Sequence, residues 1–432
     1  MTMLTFALIV IGFFALTEVP LFAIFCALAM ACYYFVGLDI DSMRSVLIDM
    51  NRLASMPILV AMPLFTLTSC ILTVTKAPKR IMDLMESLVG WLPGGIAIAG
   101  LLSCALLTTL TGASGVTIIA LGGILYPILL EKGYSERFSL GLLVTGGSIG
   151  LLFPPSLPVI LYGIVAGADI HRLFNAAFLP GVMMLCIIFA YSFAYDLIRR
   201  KRAGESLGDE PFSLARVRET FKEAAWELPI IFIIVIGIYG GLVTVGEVSA
   251  VVLVYVLIVE SFVKREFTFK HDLPKAMIEA AVLTGSIIAI LGFALSFTGY
   301  LIDEEVPAKL IESLRTISDN KYVFLLMLNL FLLGVGCVMD IFSAIVVVVP
   351  IMIPIAKQFG IDPIHLCVLF MVNLEIGFVH PPLGINLFIA SIKFDKPIVE
   401  LYWASIPYLI LLLIALGIIT YVPWLSMVWS GP

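Results

Sequence analysis

Long apolar stretches separated by short polar joints set the pattern of this chain. The apolar segments fall near residues 3–17, 20–37, 51–75, 93–131, 138–167, 174–197, 227–244, 247–264, 274–300, 321–358, 363–395 and 399–427. Crossing a bilayer as a helix takes about 20 apolar residues, and runs of that size recur from end to end. They are continuous rather than alternating, which argues against a transmembrane β-barrel. Segments 93–131 and 321–358, each about 38 residues long, exceed one crossing and are predicted to be re-entrant helical hairpins. Residues 1–37 are predicted to make two short crossings that turn at Thr17-Glu18-Val19-Pro20, and 227–264 two more that turn near Gly246-Glu247. The longest polar stretch, 198–226, carries mixed charges and Pro211 and is predicted to be a linker with a surface helix.

Composition narrows the class. Of 432 residues, 61% are hydrophobic and 13% charged, about half the charged share of a soluble domain. A soluble enzyme, a nucleic-acid binder and a disordered scaffold are excluded, and the chain reads as an all-α polytopic membrane protein in the lipid bilayer. The net charge is −6. The one dense basic cluster, Arg199-Arg200-Lys201-Arg202, ends an apolar run and reads as a cytoplasmic topology signal, not a nucleic-acid patch. Lys264, Arg265, Lys270 and Lys275 mark a second cytoplasmic loop, and Asp303-Glu304-Glu305 an outside one. Counting from these points puts both termini outside. No basic n-region or cleavage site marks the first run, which reads as mature membrane segment. The seven cysteines and four histidines show no metal-ligand spacing. No nucleophile–base set is visible, so no enzymatic activity is expected.

The two halves repeat at one offset of 227 residues. Pro127 matches Pro354, Gly133 matches Gly360, Ile149-Gly150 matches Ile376-Gly377, Pro154-Pro155 matches Pro381-Pro382, Ala177 matches Ala404 and Pro180 matches Pro407. Recurrence of proline and glycine over more than 50 residues marks an internal repeat. The loop charges give the halves opposite orientation. The first repeat is 1–197, the linker 198–226 and the second repeat 227–432. Hairpin 93–131 then enters from the cytoplasmic side and hairpin 321–358 from outside, an arrangement of secondary transporters. Segments 3–75, 174–197, 227–300 and 399–427 are left as scaffold.

Four stretches deep in apolar sequence carry helix breakers. The hairpin tips read Leu110-Thr111-Gly112-Ala113-Ser114-Gly115 and Gly334-Val335-Gly336-Cys337-Val338-Met339-Asp340. The partner stretches read Thr145-Gly146-Gly147-Ser148-Ile149-Gly150 before Phe153-Pro154-Pro155-Ser156, and Asn373-Leu374-Glu375-Ile376-Gly377 before His380-Pro381-Pro382-Leu383-Gly384-Ile385-Asn386. Proline frees a carbonyl, and glycine lets backbone approach a small ion. Freed carbonyls and hydroxyls suit Na⁺, while half-helix N-termini suit a carboxylate. The candidate Na⁺ ligands are Thr111, Gly112, Ser114, Gly147, Ser148 and Gly150 in the first half, and Gly336, Asp340, Asn373, Glu375 and Gly377 in the second. The candidate substrate-binding residues are Ser148, Pro154, Pro155, Ser156, His380, Pro381, Pro382 and Asn386. Neither tip holds a Lys or Arg, so a bound anion needs amide dipoles, hydroxyls and co-bound cations to meet its charge. Na⁺ is thus expected as a transported ion, with no organic cofactor.

These motifs resemble a known family. Gly147-Ser148-Ile149-Gly150 with Pro154-Pro155-Ser156, Tyr162-Gly163, Leu173-Phe174 and Pro180-Gly181 look like the first-half motif of the large membrane subunit of tripartite ATP-independent periplasmic (TRAP) transporters. Asn373-Leu374-Glu375-Ile376-Gly377 with Pro381-Pro382-Leu383-Gly384-Ile385-Asn386-Leu387-Phe388 looks like the second-half motif, and Trp91-Leu92-Pro93-Gly94-Gly95 and Gly240-Gly241-Leu242-Val243-Thr244 also fit. The resemblance implies an elevator-type transporter of the bacterial inner membrane, driven by Na⁺. It also implies a small four-helix membrane subunit and a periplasmic binding protein that delivers an organic acid such as a dicarboxylate or sialic acid. No Walker motif is present, in keeping with a transporter that hydrolyses no ATP. A single-subunit Na⁺–anion symporter of similar architecture is the alternative. His380 stands where the family usually has Thr, Phe153 takes the equivalent first-half place, and the first tip is poorer in serine than is common.

Overall fold

The computed structural model describes residues 21–37, 44–204, 212–239, 243–305, 309, 312, 320–381 and 384–430. The expected crossing at 3–17, its turn at Glu18, and Pro382 lie outside them. The described chain is helical. In order run α1 (Leu21–Gly37), α2 (Arg44–Ala54), α3 (Ala61–Val74), α4 (Ala77–Val89), α5 (Gly95–Thr111), α6 (Ser114–Glu131), α7 (Glu136–Ile149), α8 (Leu157–Ala166) and α9 (Ile170–Ala203). After the polar stretch come α10 (Leu214–Glu223), α11 (Leu228–Tyr239), α12 (Val245–Ile258) and α13 (Asp272–Asp303). The chain continues with α14 (Lys321–Val338), α15 (Ile341–Gln358), α16 (Pro363–Gly377), α17 (Ile385–Phe394), α18 (Ile398–Tyr421) and α19 (Trp424–Met427).

Among the described residues, six helices are long and apolar enough to cross a membrane. The pair Glu136–Leu152 and Leu157–Ala166, bent by 44° at its break, reaches the same standard as one broken span. The chain is therefore a multi-pass α-helical membrane protein. Large apolar side chains such as Phe232, Ile278 and Val282 stay exposed on helices of this kind, because lipid tails solvate them.

Both long apolar segments fold as helical hairpins. Gly112 and Ala113 separate α5 from α6, and Met339 and Asp340 separate α14 from α15. The base of the second hairpin is closed by stacking of Phe324 on Phe359, ring centroids 4.2 Å apart, and by Lys321 Nζ donating to the Gly360 carbonyl at 2.8 Å. Gly133 and Gly360, one 227-residue offset apart, both take the left-handed conformation, with φ +78° and +70°.

Contacts between the hairpins and the breaks cross from half to half. α5 and α6 pack on α7, and α14 packs on α16. The second arm of each hairpin also meets the post-break helix of the other half: α6 packs on α17, and α15 on α8. Around this core, α1 and α3 pack against α13, and α12 against α3.

Polar joints differ from the apolar pattern in three places. The Arg199–Arg202 cluster is the last turns of α9, which runs to Ala203 instead of ending near 197. Asp196 holds that end by accepting from Gly94 N at 2.7 Å and from Arg199 and Arg200. Glu247 caps α12: its carboxylate and the Thr244 hydroxyl form a reciprocal capping box. The amphipathic α4 carries Arg80, whose guanidinium pairs with Glu227, Glu260 and Glu266 and clamps α4 to the start of α11 and the end of α12. Burial would raise the Glu266 carboxyl, but the Lys76 backbone N–H and Arg80 outweigh it and hold it below its ordinary value.

Candidate functional site: two hairpin tips and two broken helices

At the first tip, α5 stops because Gly112 takes φ +65° and donates its N–H back to Thr108 O at 2.7 Å. A side chain there would be strained in the backbone and would meet Leu157 at 2.9 Å. Ala113 is extended and Ser114 opens α6. Hydroxyls then tie the tip to α7. Thr108 Oγ1 lies 2.7 Å from Thr117 Oγ1 and 2.8 Å from the Gly147 carbonyl oxygen. Thr109 Oγ1 donates to carbonyls of its own helix and of Gly150, the latter at 3.0 Å. Ser69 Oγ lies 2.5 Å from Leu110 O.

The glycines of the first partner stretch serve this close approach. A Cβ on Gly150 would stand 2.3 Å from Ala105 O, and one on Gly147 would stand 2.7 Å from Ile118. Ser148 is buried, and its hydroxyl turns to its own helix, donating to Thr145 O at 3.1 Å. After Ile149 the chain narrows to a 3₁₀ turn over Gly150–Leu152, and α8 resumes at Leu157. Two hydroxyls at this break, Thr145 Oγ1 and Ser156 Oγ, are fully buried without a partner.

Asn386, at the start of α17 and fully buried, joins the halves. Its Oδ1 accepts from Ser114 Oγ at 2.7 Å, and its Nδ2 donates to Val144 O at 3.2 Å. A predicted substrate residue of the second half thus bonds a predicted ion residue of the first.

The second tip has other chemistry. Met339 is extended, and Asp340 caps α15: one carboxylate oxygen accepts from Ser343 N at 3.0 Å and the other from Ser343 Oγ at 2.5 Å. α14 and α16 touch backbone to backbone, since a Cβ on Gly377 would stand 2.5 Å from the Gly336 carbonyl carbon. Asn373 Nδ2 donates to Asn329 Oδ1 at 2.8 Å, and Asn329 Nδ2 to Thr420 Oγ1 at 2.9 Å. Asn373 Oδ1 and both carboxyl oxygens of Glu375 are buried without a partner. His380 follows the break, its Nδ1 3.3 Å from Cys337 Sγ. Pro381 is partly buried beside it.

The structure therefore gathers the first-half candidates Thr111, Gly112, Ser114, Gly147, Ser148 and Gly150 around one tip, with Asn386 reaching in. Gly336 meets Gly377. Asp340 bonds Ser343 of its own helix, and no hydrogen bond joins it to 373–377 among the described residues. Thr108, Thr109, Thr117 and Asn329 escaped the sequence reading; the Thr108-Thr109 pair just before the tip was the available signal. Ser343, three residues after Asp340, was legible as a cap partner. A cavity of about 510 Å³ opens beside the first break, lined by residues such as Leu102, Phe153, Phe178, Ile234 and Trp429. Its walls are nearly all apolar, so it is a poor host for a carboxylate.

Paired hairpins and broken helices of this kind define a membrane transporter fold. The solved structure of the YdaH transporter of Alcanivorax borkumensis superposes with a TM-score of 0.67 at 17% identity, covering 95% of this chain and 99% of that one. The family model described as the DctM component of tripartite ATP-independent periplasmic transporters matches residues 6–425. The C4-dicarboxylate TRAP transporter large permease protein DctM of Pseudomonas aeruginosa is 32% identical, over 90% of this chain and 91% of its own length. The isethionate TRAP transporter permease protein DctMQ of Oleidesulfovibrio alaskensis is 33% identical over 89% of this chain, which spans 60% of that longer relative. The 2,3-diketo-L-gulonate TRAP transporter large permease protein YiaN of Escherichia coli is 29% identical over 84% of both. The chain belongs to the DctM family: it is a large permease component of a TRAP transporter.

Proposed function

We propose that this permease carries an organic acid anion into the cell by Na⁺-coupled secondary transport. A periplasmic binding protein delivers the anion, and a small four-helix membrane subunit packs on the scaffold. The observation that carries the reading is the meeting of both halves at Asn386 beside two broken helices, with buried oxygens left unpartnered at each break. Unsatisfied oxygens at this depth are costly unless a cation or water completes them. One cation is assigned to the hydroxyls and carbonyls around Ser114 and Ser148, and a second to Asp340 with the carbonyls near Asn373 and Gly377. The carboxylates transported by relatives support an organic acid as substrate, one class of which is the C4-dicarboxylates. Half-helix N-termini at α8 and α17 supply its amide donors.

The motion that fits this arrangement is an elevator. The two hairpins and broken helices move as one body against the remaining helices, and the halves, inserted with opposite orientation, exchange conformations. Both termini lie on the periplasmic side. The test is uptake by the chain reconstituted with its small subunit and binding protein. Accumulation under an inward Na⁺ gradient is expected, and equal uptake without Na⁺, driven by ATP, overturns the reading. Cysteine crosslinking of one hairpin position to several scaffold depths tests the motion. A single depth under all conditions, with transport continuing, replaces the elevator with a local gate.

A further inference from the structure

The cavity of about 510 Å³ beside the first break has no role in the proposed cation sites. Its walls are α5 through Leu106, the break through Phe153, α9 through Phe178, α11 through Ile234 and Val235, and the tail through Trp429. Among the described residues no charged side chain lines it. Of the polar wall residues, Thr109 already gives its hydroxyl to the Ala105 and Gly150 carbonyls, and Asn175 is partly exposed. A buried water needs about two to four polar partners, so these walls do not hold a water cluster. The void arises because α11 packs on α12 and only loosely on α9, and α5 and α11 line the cavity without packing closely on each other.

The mouth faces the membrane. Val235 lines the cavity and is 40% exposed, and beside it on α11 Phe232 and Ile236 are 60% and 55% exposed. The recess is thus continuous with a helix surface that lipid tails solvate, and it leads inward to Ile234, which is buried. An empty apolar void forfeits the dispersion contacts of its lining. We propose that the cavity is an acyl-chain site that holds one tail of a membrane phospholipid. Its volume falls within the range of about 300–1,000 Å³ usual for small-molecule sites. A helix is about 10–12 Å across with its side chains and is too thick to enter, whereas a hydrocarbon tail is one methylene wide. An organic acid is excluded by the lack of free donors, since a carboxylate buried without them is costly. The tail lies between the first hairpin and break on one side and α11 on the other, and its binding does not depend on the transport reading above.

Photolabelling of the wild-type chain tests it. The purified chain is reconstituted with a phosphatidylethanolamine that carries a diazirine in the middle of one tail, irradiated and mapped by peptide mass spectrometry. Label is expected on the buried wall residues Ile234 and Leu110 as well as on the lipid-facing Phe232. Label confined to exposed residues such as Phe232 overturns the proposal. Leu102→Trp and Leu106→Trp each put a larger side chain into the recess. Each should abolish the label on Ile234 and keep that on Phe232, which also reports that α11 is in place. Should one variant fail to fold, the other and the wild-type map decide. Full labelling of Ile234 in a folded, filled variant means that tails arrive by another route and overturns the site. In the complete transporter, a photoreactive p-benzoylphenylalanine at position 106 should capture lipid. Capture of the small subunit instead makes the cavity a protein contact and also overturns the proposal.

Discussion

The two hairpin tips solve one backbone problem with different side chains. Around the first, threonine hydroxyls of α5 and α6 bond one another and the carbonyls of Gly147 and Gly150. Around the second, Asp340 caps α15 while α16 holds an asparagine bonded through only one of its groups and a glutamate bonded through neither. What recurs at the offset of 227 is the site of each break and the close contact of backbones: Gly150 against Ala105, and Gly377 against Gly336. What does not recur is polar chemistry. Thr108 and Thr117 correspond to Val335 and Ala344, and Ser148 to Glu375. The repeat keeps where the chain must bend and leaves open what fills the bend, so the two cation sites proposed at these like breaks draw on unlike side chains.

The sharpest way to break this comparison is to fill the shared contact. Gly150→Ala and Gly377→Ala each drive a methyl to within 2.3–2.5 Å of backbone that cannot move aside. Each should cost at least about 3 kcal/mol, at the top of the range for overpacking. Thermal unfolding of the purified chain measures both. If one is tolerated, the contact in that half is not a fixed part of the break.

Next in size is Asn386→Ala. It removes the link between the halves and leaves the Ser114 hydroxyl and the Val144 carbonyl unpaired in a buried site. A loss of about 2–3 kcal/mol is expected. A cost under about 0.5 kcal/mol would mean that the two halves do not depend on this bond.

Asp340→Ala follows. Losing the cap on α15 should cost about 1 kcal/mol, and the variant should also lose part of the stabilisation that NaCl gives over choline chloride. A cap loss with the full Na⁺ response would remove Asp340 from the second cation site.

Much of this was legible in the sequence because glycine and proline report on backbone. The apolar runs gave the helices, and residues such as Gly112 and Pro154-Pro155 gave the breaks. Other features depend on distance across the fold. Asn386 and Ser114 lie 272 residues apart, and no spacing rule links them. The Arg80 cluster gathers Glu227, Glu260 and Glu266 from three places. The α4 helix that carries Arg80 is too polar to register among apolar runs. By sequence the Arg199–Arg202 cluster falls in the 198–226 linker, because charge usually ends a membrane helix. Here the Asp196 carboxylate, which also accepts from the Gly94 N–H, offsets part of that charge and lets the helix run on.

The smallest expected effect on folding is the most informative about function. Ser148 Oγ donates only to Thr145 O, three residues back in its own helix, at 3.1 Å. Such a local bond adds little to a helix that already has its backbone ladder. Ser148→Ala removes one oxygen, opens no sizeable cavity and leaves Thr145 O in its backbone environment. The cost should stay below about 1 kcal/mol. If Ser148 serves the first cation, Ser148→Ala should nearly preserve the melting temperature in choline chloride yet reduce the upward shift produced by NaCl. An unchanged shift would take Ser148 out of the cation site and leave the hydroxyls of Thr145 and Ser156, both unpartnered at the same break, as the oxygens to test in its place.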